Sequence, residues 1–407
     1  MRIGLFGIGG VYNYGCEAIV RGTSNFIKMH YPDCQVIYFS KNYAYDSNAL
    51  RDTDIDVVEI KAANNLLKKV INKLCLLTGI ELRIPVFETE KVLGYVDELY
   101  FIGGDIFTIP EKLREQPRYS YVNELIEFGK RAVKREIPIV LYGASVGPFG
   151  DYEKAVLYYK NTLQKYYKIV CRESVTIDYL NSIGVDNTVF SPDPAFLVNA
   201  TKSSESTESC EKRFIGVNLS PLSLNELYGD GAKQTERMKN LLLKIYNEFN
   251  EEILLLPHVI SEDINDNDYQ FMKSLMDSMT LEEKKHFHIA DYKGGFLGIK
   301  EQLYSCKVVI SARMHCAINA MHEGIPTILL SYSQKSIGMC KYVYGTDKWV
   351  LPIKDMEDSL IPTIKEMMMQ REELENTLQQ RILEIDQYIL ENRNSMRKLL
   401  GVKSGDA

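Results

Sequence analysis

Short apolar runs alternate with longer segments of helical periodicity along almost the whole chain. The runs are continuously apolar and do not alternate between apolar and polar positions, which is typical of parallel strands covered on both faces. The pattern predicts strands at residues 2–8, 35–39, 56–60, 98–102, 137–142, 168–171, 187–190, 214–219, 252–257, 286–290, 307–311, 326–331 and 348–351, with helices between them.

A polar, serine-rich stretch at residues 201–213 interrupts this alternation, and such a stretch cannot bury enough apolar area to fold. The alternation on either side predicts two Rossmann-like, doubly wound α/β domains that face each other across a cleft. We predict an N-terminal domain at 1–200, a linker at 201–213, a C-terminal domain at 214–354 and a helical tail at 355–407.

Composition narrows the class of protein. The chain has 407 residues, which is enough for two hydrophobic cores. Its formal net charge of -7 disfavours a nucleic-acid partner, since phosphate binding needs a basic face. The eight cysteines form no C-x-x-C pair, so we expect buried, reduced thiols. We find no signal peptide and no apolar run near the ~18 residues that a membrane span needs, and we predict a cytoplasmic protein.

The candidate chemistry lies at the strand ends, because ligands of open α/β sheets bind beyond the carboxyl ends of the strands. Arg313 follows the strand at 307–311 and stands at a helix start, where backbone N–H groups already favour an anion. A guanidinium there adds bidentate recognition of phosphate or carboxylate. His315 lies off the apolar stripe of that helix. The alternative is that Arg313 pairs with a nearby carboxylate and that His315 is a satisfied surface histidine.

Other polar groups stand at the ends of the remaining strands. We expect those of the second half to converge on one site, whereas simple packing between strand and helix is the alternative for the first half. The second-half candidates are Asn218, His258, Ser311, Tyr332 and Lys335, and the first-half candidates are Asn13, Glu17, Gly104, Asp105, Ser145 and Arg172.

Metal sites are not evident in the sequence. Residues 263–268 alternate acids and amides like a calcium loop, but a calcium loop needs glycine at its sixth position and glutamate at its twelfth. We therefore predict metal-independent chemistry without a cofactor.

The strand-end residues together form a family pattern. Its most specific part is Ile-Ser-Ala-Arg-Met-His-Cys-Ala-Ile at 310–318, and further matching segments lie at 101–104, 143–148, 171–174, 193–196, 324–326 and 331–335. With these segments the chain resembles the polysaccharide pyruvyl transferase family from residue 1 to about 345. The family's N-terminal turn usually reads Asn-x-Gly-Asp-Glu-Ala. Here Cys16 replaces the aspartate, and Glu17 is the only acid left in the turn.

The resemblance implies a GT-B-like fold, with the acceptor bound by the N-terminal domain and the donor by the C-terminal domain. It implies phosphoenolpyruvate as the donor and a sugar diol as the acceptor, for example a hexose 4,6-diol of a lipid-linked or polymeric glycan of a capsule or exopolysaccharide. The products would be a pyruvate ketal and free phosphate. The sequence leaves the oligomeric state open.

Roles for the candidate residues follow from this resemblance. His315 is the predicted general acid or a hydrogen-bond donor to the donor phosphate, Arg313 is a further predicted catalytic residue, and Glu17 is the predicted base. Closure of the cleft would bring Arg172 to the donor. Tyr332 and His258 are predicted to support the groups that touch substrate. The predicted donor ligands are Arg172, Arg313, His315, Lys335, Ser311 and Asn218, and the predicted acceptor ligands are Asn13, Glu17, Gly104, Asp105 and Ser145.

Residues 62–80 predict a basic amphipathic helix, with apolar residues at helical spacing and Lys68, Lys69 and Lys73 on its flank. Such a helix can rest on an anionic membrane, which would place the protein on the inner face of the cell membrane. The more ordinary interpretation is that its apolar face packs on its own domain with the lysines outside.

Two other functions are compatible with the sequence. One is a nucleotide-sugar glycosyltransferase of the same architecture, in which Arg313 and Lys335 would bind a diphosphate. The other is a non-catalytic protein of glycan assembly, which would explain the altered turn at Cys16.

Overall fold

The computed structural model describes residues 1–61, 66–78, 80, 82–115, 121–199, 212–229, 232–331 and 335–391. Every predicted strand is present, with its ends within two residues of the predicted ones. The strands are β1 Arg2–Phe6, β2 Gln35–Ser40, β3 Ile55–Glu59, β4 Glu98–Ile102, β5 Ile139–Tyr142, β6 Lys168–Cys171, β7 Thr188–Phe190, β8 Phe214–Asn218, β9 Glu252–Leu255, β10 Phe287–Ile289, β11 Cys306–Ser311, β12 Thr327–Ser331 and β13 Val350–Pro352.

Helices connect these strands, as expected where parallel strands need a crossover. The helices are α1 Tyr14–His30, α2 Tyr43–Ala49, α3 Leu66–Thr78, α4 Thr89–Tyr95, α5 Glu111–Arg114, α6 Glu124–Lys134, α7 Glu153–Leu163, α8 Ser174–Ser182, α9 Pro221–Tyr228, α10 Ala232–Phe249, α11 Asp268–Asp277, α12 Gly295–Gln302, α13 Met314–His322, α14 Lys335–Tyr344, α15 Met356–Met369 and α16 Arg371–Glu391. Among the residues described, no helix is long and apolar enough to cross a membrane.

The chain divides into two compact units. The first comprises Met1–Val11 and Ile19–Leu197 with the end of α16, and the second comprises Tyr12–Ala18 and Val198–Tyr388. Along the chain, the first unit passes into the second between Leu197 and Val198. Two features differ from the prediction. The segment Tyr12–Ala18 belongs to the second unit, and α15 with most of α16 also belongs to that unit and does not form a separate tail. Most of the predicted linker, 201–211, lies outside the described residues.

Each unit is built on one parallel sheet. The strand order is β3-β2-β1-β4-β5-β6-β7 in the first unit and β10-β9-β8-β11-β12-β13 in the second. The second order is the Rossmann order, and the first adds one strand to it. The direction of strand progression reverses between β8 and β11 in the second unit, where Ser311 pairs with Asn218. Ligands of such sheets bind beyond the strand ends at this reversal.

Burial on both faces explains why these strands were visible in the sequence. All five residues of β4 and all five of β8 are buried. In the first unit the Phe128 ring packs 4.9 Å from Phe6 and 5.8 Å from Phe101. Each such ring contributes roughly 1.5–3 kcal/mol by leaving water. The cysteines that the structure describes are buried except for Cys16, which is half-buried.

Candidate functional site

Arg313 lies where β11 passes into α13, as the N-cap residue of that helix. Its Nη2 donates to Asp266 Oδ1 at 2.6 Å and to Asp268 Oδ1 at 2.8 Å, and its Nε donates to Asp268 Oδ1 at 3.3 Å. Asp268 is fully buried, whereas the Asp266 side chain is 31% exposed. Pairing with carboxylates, the alternative interpretation of the sequence, is therefore the arrangement in the structure. Binding of an external anion by Arg313 stays a prediction.

The pKa of each member of this pair is shifted upward. Burial acts to lower the pKa of Arg313, but the Asp268 and Asp266 carboxylates outweigh it and hold the pKa above its ordinary value. Burial raises the pKa of Asp268, and the Arg313 guanidinium with hydrogen bonds from His258 and Asn218 opposes that shift. Five donors point at this one carboxylate, including the backbone N–H groups of His258 and Val259 at 3.0 and 3.1 Å. The ion pair and these hydrogen bonds fix the orientation of the Arg313 guanidinium.

Asn218 and Ser311 hydrogen-bond to the Arg313 backbone, and their role as donor ligands stays a prediction. Both are buried. Asn218 Oδ1 accepts from the Arg313 backbone N–H at 2.9 Å, and its Nδ2 donates to Leu256 O at 2.8 Å and to Asp268 Oδ2 at 3.3 Å. The Ser311 hydroxyl donates to Arg313 O at 2.8 Å. These hydrogen-bonding groups are therefore engaged with other groups of the protein.

His315 lies in the first turn of α13 and is half-buried. It packs directly against Gly15, where an added Cβ would stand 2.6 Å from His315 Nδ1. Glycine is therefore required at position 15 for this close approach. The contact brings the N-terminal turn, including Asn13, whose Oδ1 accepts from the Gly15 N–H at 2.9 Å, to the start of α13.

Glu17 is buried at the start of α12. Its Oε2 accepts from the Phe296 backbone N–H at 3.2 Å, in the first turn of that helix. The carboxylate of Glu17 therefore lies at the N-terminus of α12. Asn13 and Glu17 were predicted as acceptor ligands of the N-terminal domain. That domain assignment is wrong, since both belong to the second unit.

His258 forms part of the same site. Its backbone oxygen accepts from the Tyr14 N–H at 2.9 Å, and its ring meets the Tyr14 ring edge-on at 5.8 Å between centroids. The ring is buried, and neither ring nitrogen has a hydrogen-bond partner within the described part of the chain. Burial lowers the pKa of His258 well below its ordinary value, and the nearby His315 and Arg313 act in the same direction. The ring is therefore neutral near pH 7.

A buried ion pair ties the two helices of the site together. The Lys300 Nζ of α12 lies 2.8 Å from Oε1 of Glu323, the residue that ends α13, and the Lys300 side chain is fully buried. Burial acts to raise the pKa of Glu323, but His322 and Lys300 outweigh it and lower the pKa to about 2. The ion pair thus fixes α12, whose first turn donates a hydrogen bond to Glu17, to α13, which contains His315.

A second cluster lies in the first unit around Arg172, directly after β6. Its Nη1 donates to Asp193 Oδ2 at 2.8 Å, and its Nη2 donates to the Ser145 hydroxyl at 3.1 Å and lies 4.0 Å from Asp105. A Cβ at Gly104 would stand 3.6 Å from the same nitrogen. Burial acts to lower the pKa of Arg172, but the carboxylates of Asp193, Asp105 and Glu173 outweigh it and raise the pKa. The first-half candidates at these strand ends therefore do converge.

Some predicted residues cannot be placed. Tyr332 lies outside the described residues, and of Lys335 the structure describes only that its backbone begins α14. Among the described residues no group of three or more His, Cys, Asp and Glu side chains is arranged to hold a metal ion. Metal-independent chemistry stays a prediction.

Sequence reasoning missed Asp266 and Asp268, because the loop that carries them was compared only with a calcium loop. A usable signal existed. This loop follows β9, whose neighbour β8 also pairs with β11, so its acids lie at the same sheet edge as Arg313. Acids at that edge are candidates for pairing with an arginine there.

Comparisons with known proteins agree with this architecture. The family model described as Polysaccharide pyruvyl transferase matches residues 13–334. The amylovoran biosynthesis protein AmsJ of Erwinia amylovora is 23% identical over 420 residues, which cover 94% of this chain and 97% of the relative.

Solved structures show a similar fold. Alr3699/HepE of Anabaena, in complex with UDP and glucose, has a TM-score of 0.59 at 10% identity, over 98% of this chain and 99% of that one. UDP-GlcNAc 2-epimerase from Neisseria meningitidis, bound to UDP-GlcNAc, has a TM-score of 0.56 at 11% identity, over 96% and 100%. These likenesses identify a GT-B-like fold of two parallel-sheet α/β domains.

Proposed function

Since the chain belongs to the polysaccharide pyruvyl transferase family, a family of transferases that act on polysaccharide, we propose that it transfers pyruvate from phosphoenolpyruvate to a sugar diol as a ketal. The acceptor in this proposal is a hexose 4,6-diol of a lipid-linked or polymeric glycan, such as a capsule or exopolysaccharide. The observation that carries the proposal is the meeting of Arg313, His315, His258 and Glu17 at the helix starts beside the strand reversal of the second unit.

The donor side of the proposal rests on the start of α13. Phosphoenolpyruvate carries a phosphate and a carboxylate, and a helix N-terminus with a guanidinium attracts both. Asp268 is buried and stays with Arg313, whereas the partly exposed Asp266 can leave it. We propose that a donor anion replaces the Asp266 carboxylate on Nη2 of Arg313. Donor binding by Arg172 and Lys335 remains part of the proposal.

The proposed reaction balances as follows. The methylene carbon of phosphoenolpyruvate gains a proton and becomes the methyl group, and C2 becomes electrophilic. One sugar hydroxyl oxygen bonds to C2, the second hydroxyl oxygen then bonds to C2, and the C2–O bond to phosphate breaks. Of the two hydroxyl protons lost, one is accounted for by the methyl group and one by the released phosphate.

Two side chains suit the proton transfers. His315 is the proposed general acid toward the methylene carbon, since it lies in the first turn of α13, next to Arg313. Glu17 is the proposed base for the acceptor hydroxyl, because its carboxylate is fixed at the start of α12 and its turn packs on His315 through Gly15. His258, neutral and buried behind Tyr14, is proposed to support this arrangement.

The test is phosphate release from phosphoenolpyruvate with a panel of galactose-, mannose- and N-acetylmannosamine-containing acceptors. We expect release with at least one acceptor, and a rise in Tm with phosphoenolpyruvate but not with UDP or GDP. Stabilisation by UDP or GDP alone would indicate a nucleotide-sugar glycosyltransferase instead. Acceptor binding without any phosphate release would indicate a non-catalytic glycan-assembly protein. A location in the cytoplasm, on the inner face of the cell membrane, would bring the enzyme to a lipid-linked acceptor.

A further inference from the structure

Helix α3 of the first unit presents an apolar face to solvent. Leu66 is 76% exposed, Leu77 is 73% exposed and Leu67 is 65% exposed, and Val70 and Leu74 are also exposed. Ile80 and Leu82, which follow the helix, are exposed as well. Single exposed leucines are common on proteins, but several exposed apolar side chains on one helix face indicate a site of interaction.

The orientation of α3 is fixed by its polar side. Asn72 is buried, its Nδ2 donates to Ile84 O at 2.8 Å, and its Oδ1 accepts from the Ile84 N–H at 2.7 Å. Cys75, one turn further on, is buried on the same side. These two contacts turn the leucines outward. The interpretation that the apolar face packs on its own domain is therefore wrong.

The charge of α3 selects the partner. The helix contains three lysines and no acid, although the whole chain has a net charge of -7. Lys69 and Lys73 are exposed with the leucines, while the Lys68 ammonium lies 3.5 Å from Pro85 O. An exposed apolar face flanked by lysines complements a surface that is apolar below and anionic above. An anionic phospholipid leaflet has that chemistry.

We propose that α3 docks the protein on an anionic phospholipid surface, with its leucines among the acyl chains and Lys69 and Lys73 at the headgroups. The helix has 13 residues, so it lies in the plane of the interface and does not cross a bilayer, which takes about 20 residues. This proposal stands independently of the donor and the acceptor, since docking needs neither.

The test is co-sedimentation of the full-length protein with vesicles of phosphatidylcholine, with or without phosphatidylglycerol. We expect binding that requires phosphatidylglycerol and weakens with salt. Lys69→Gln with Lys73→Gln should weaken binding roughly thirtyfold, since each lysine near an anionic leaflet strengthens binding about fivefold. Leu66→Gln with Leu77→Gln should also weaken it. Leu281→Gln with Lys285→Gln, at an exposed leucine and an exposed lysine of the second unit, is the matched control and should bind like wild type.

Three outcomes would overturn the proposal: no binding of the wild-type protein to anionic vesicles, equal binding by the α3 variants, or loss of binding in the control variant. If wild type does not bind vesicles, and the leucine variant has half the mass of wild type in sedimentation equilibrium, α3 is a contact between two copies of the chain. Phosphate release with a soluble acceptor should be unchanged in all these variants, so failure of docking and failure of the proposed reaction are distinguishable.

Discussion

Each unit contains an arginine that lies within two residues of the end of a parallel strand and pairs with a buried aspartate, yet the surroundings of the two arginines differ. Arg172 pairs with Asp193 beside a serine hydroxyl and a second acid, whereas Arg313 pairs with Asp268 beside His258 and His315. A buried carboxylate orients a guanidinium in both units. Histidine side chains accompany only Arg313 among the contacts described. The same pairing of a guanidinium with a buried carboxylate therefore occurs with two different sets of neighbours.

The largest expected effect is on His315, a group that distinguishes the surroundings of Arg313 from those of Arg172. His315→Gln should lower kcat by about 10²–10⁴-fold, because general acid catalysis contributes that much. The measurement is phosphate release at saturating phosphoenolpyruvate. His286→Gln is the control, since that ring stacks on Tyr246 away from the site. Near-normal turnover of His315→Gln would remove the acid role.

The next effect compares the two arginines directly. Arg313→Lys keeps the charge but loses the fork that binds anions at two points, so kcat/KM for phosphoenolpyruvate should fall roughly tenfold to a hundredfold. Arg172→Lys should raise the KM for the donor by less, since Arg172 is the more deeply buried of the two. Arg237→Lys, whose guanidinium lies over the Tyr228 ring, is the control. An unchanged KM for Arg172→Lys would confine that arginine to holding its own unit together.

A third effect is on stability against pH. Below about pH 6.5 the unfolded chain takes a proton on His258, but the folded chain does not, because the folded-state pKa is lowered. The free energy of unfolding should therefore fall as pH drops from 6.5 toward 5, with a slope from this residue of up to about 1.4 kcal/mol per pH unit. Urea unfolding of His258→Gln should show a shallower slope than wild type, and His286→Gln is the control variant. Parallel slopes for His258→Gln and wild type would contradict the assignment.

The smallest effect concerns Asp266, the exposed carboxylate on Arg313. Asp266→Asn removes a competitor of the donor anion, and a partly exposed ion pair is worth at most about 1 kcal/mol, so KM should fall by about twofold to fivefold. Asp268→Asn should behave in the opposite way and destabilise the fold by about 3–5 kcal/mol, because it leaves a buried guanidinium without its carboxylate. A KM that rises in Asp266→Asn would show that Asp266 helps to bind the donor.

The fold was predictable from sequence where local pattern decides it. Residues 99–102 of β4 form a continuous apolar run because both faces of the strand are buried, and the ends of β4 coincide with the predicted ones. Arg313 and His315 were found because the strand-to-helix transition is a local feature. Asp268 was missed because its partner is 45 residues away, and nothing local shows which loop meets which strand end. The orientation of α3 was missed because helical periodicity predicts a helix but not which of its faces contacts the rest of the unit. Here the hydrogen bond from Asn72 to the Ile84 carbonyl fixes that face.

The membership of Tyr12–Ala18 in the second unit has a consequence for synthesis on the ribosome. Tyr12 and Tyr14 bond through their backbones to Ile260 and His258, and Asn13 bridges to Val259. The turn leaves the ribosome first, but its partners are translated more than two hundred residues later, roughly 12–50 s at 5–20 residues per second. The turn cannot form these contacts until the chain has been synthesised past Ile260. A gene fragment that begins at Val198 accordingly encodes a second unit that lacks Glu17 and the strand-like partner of Val259.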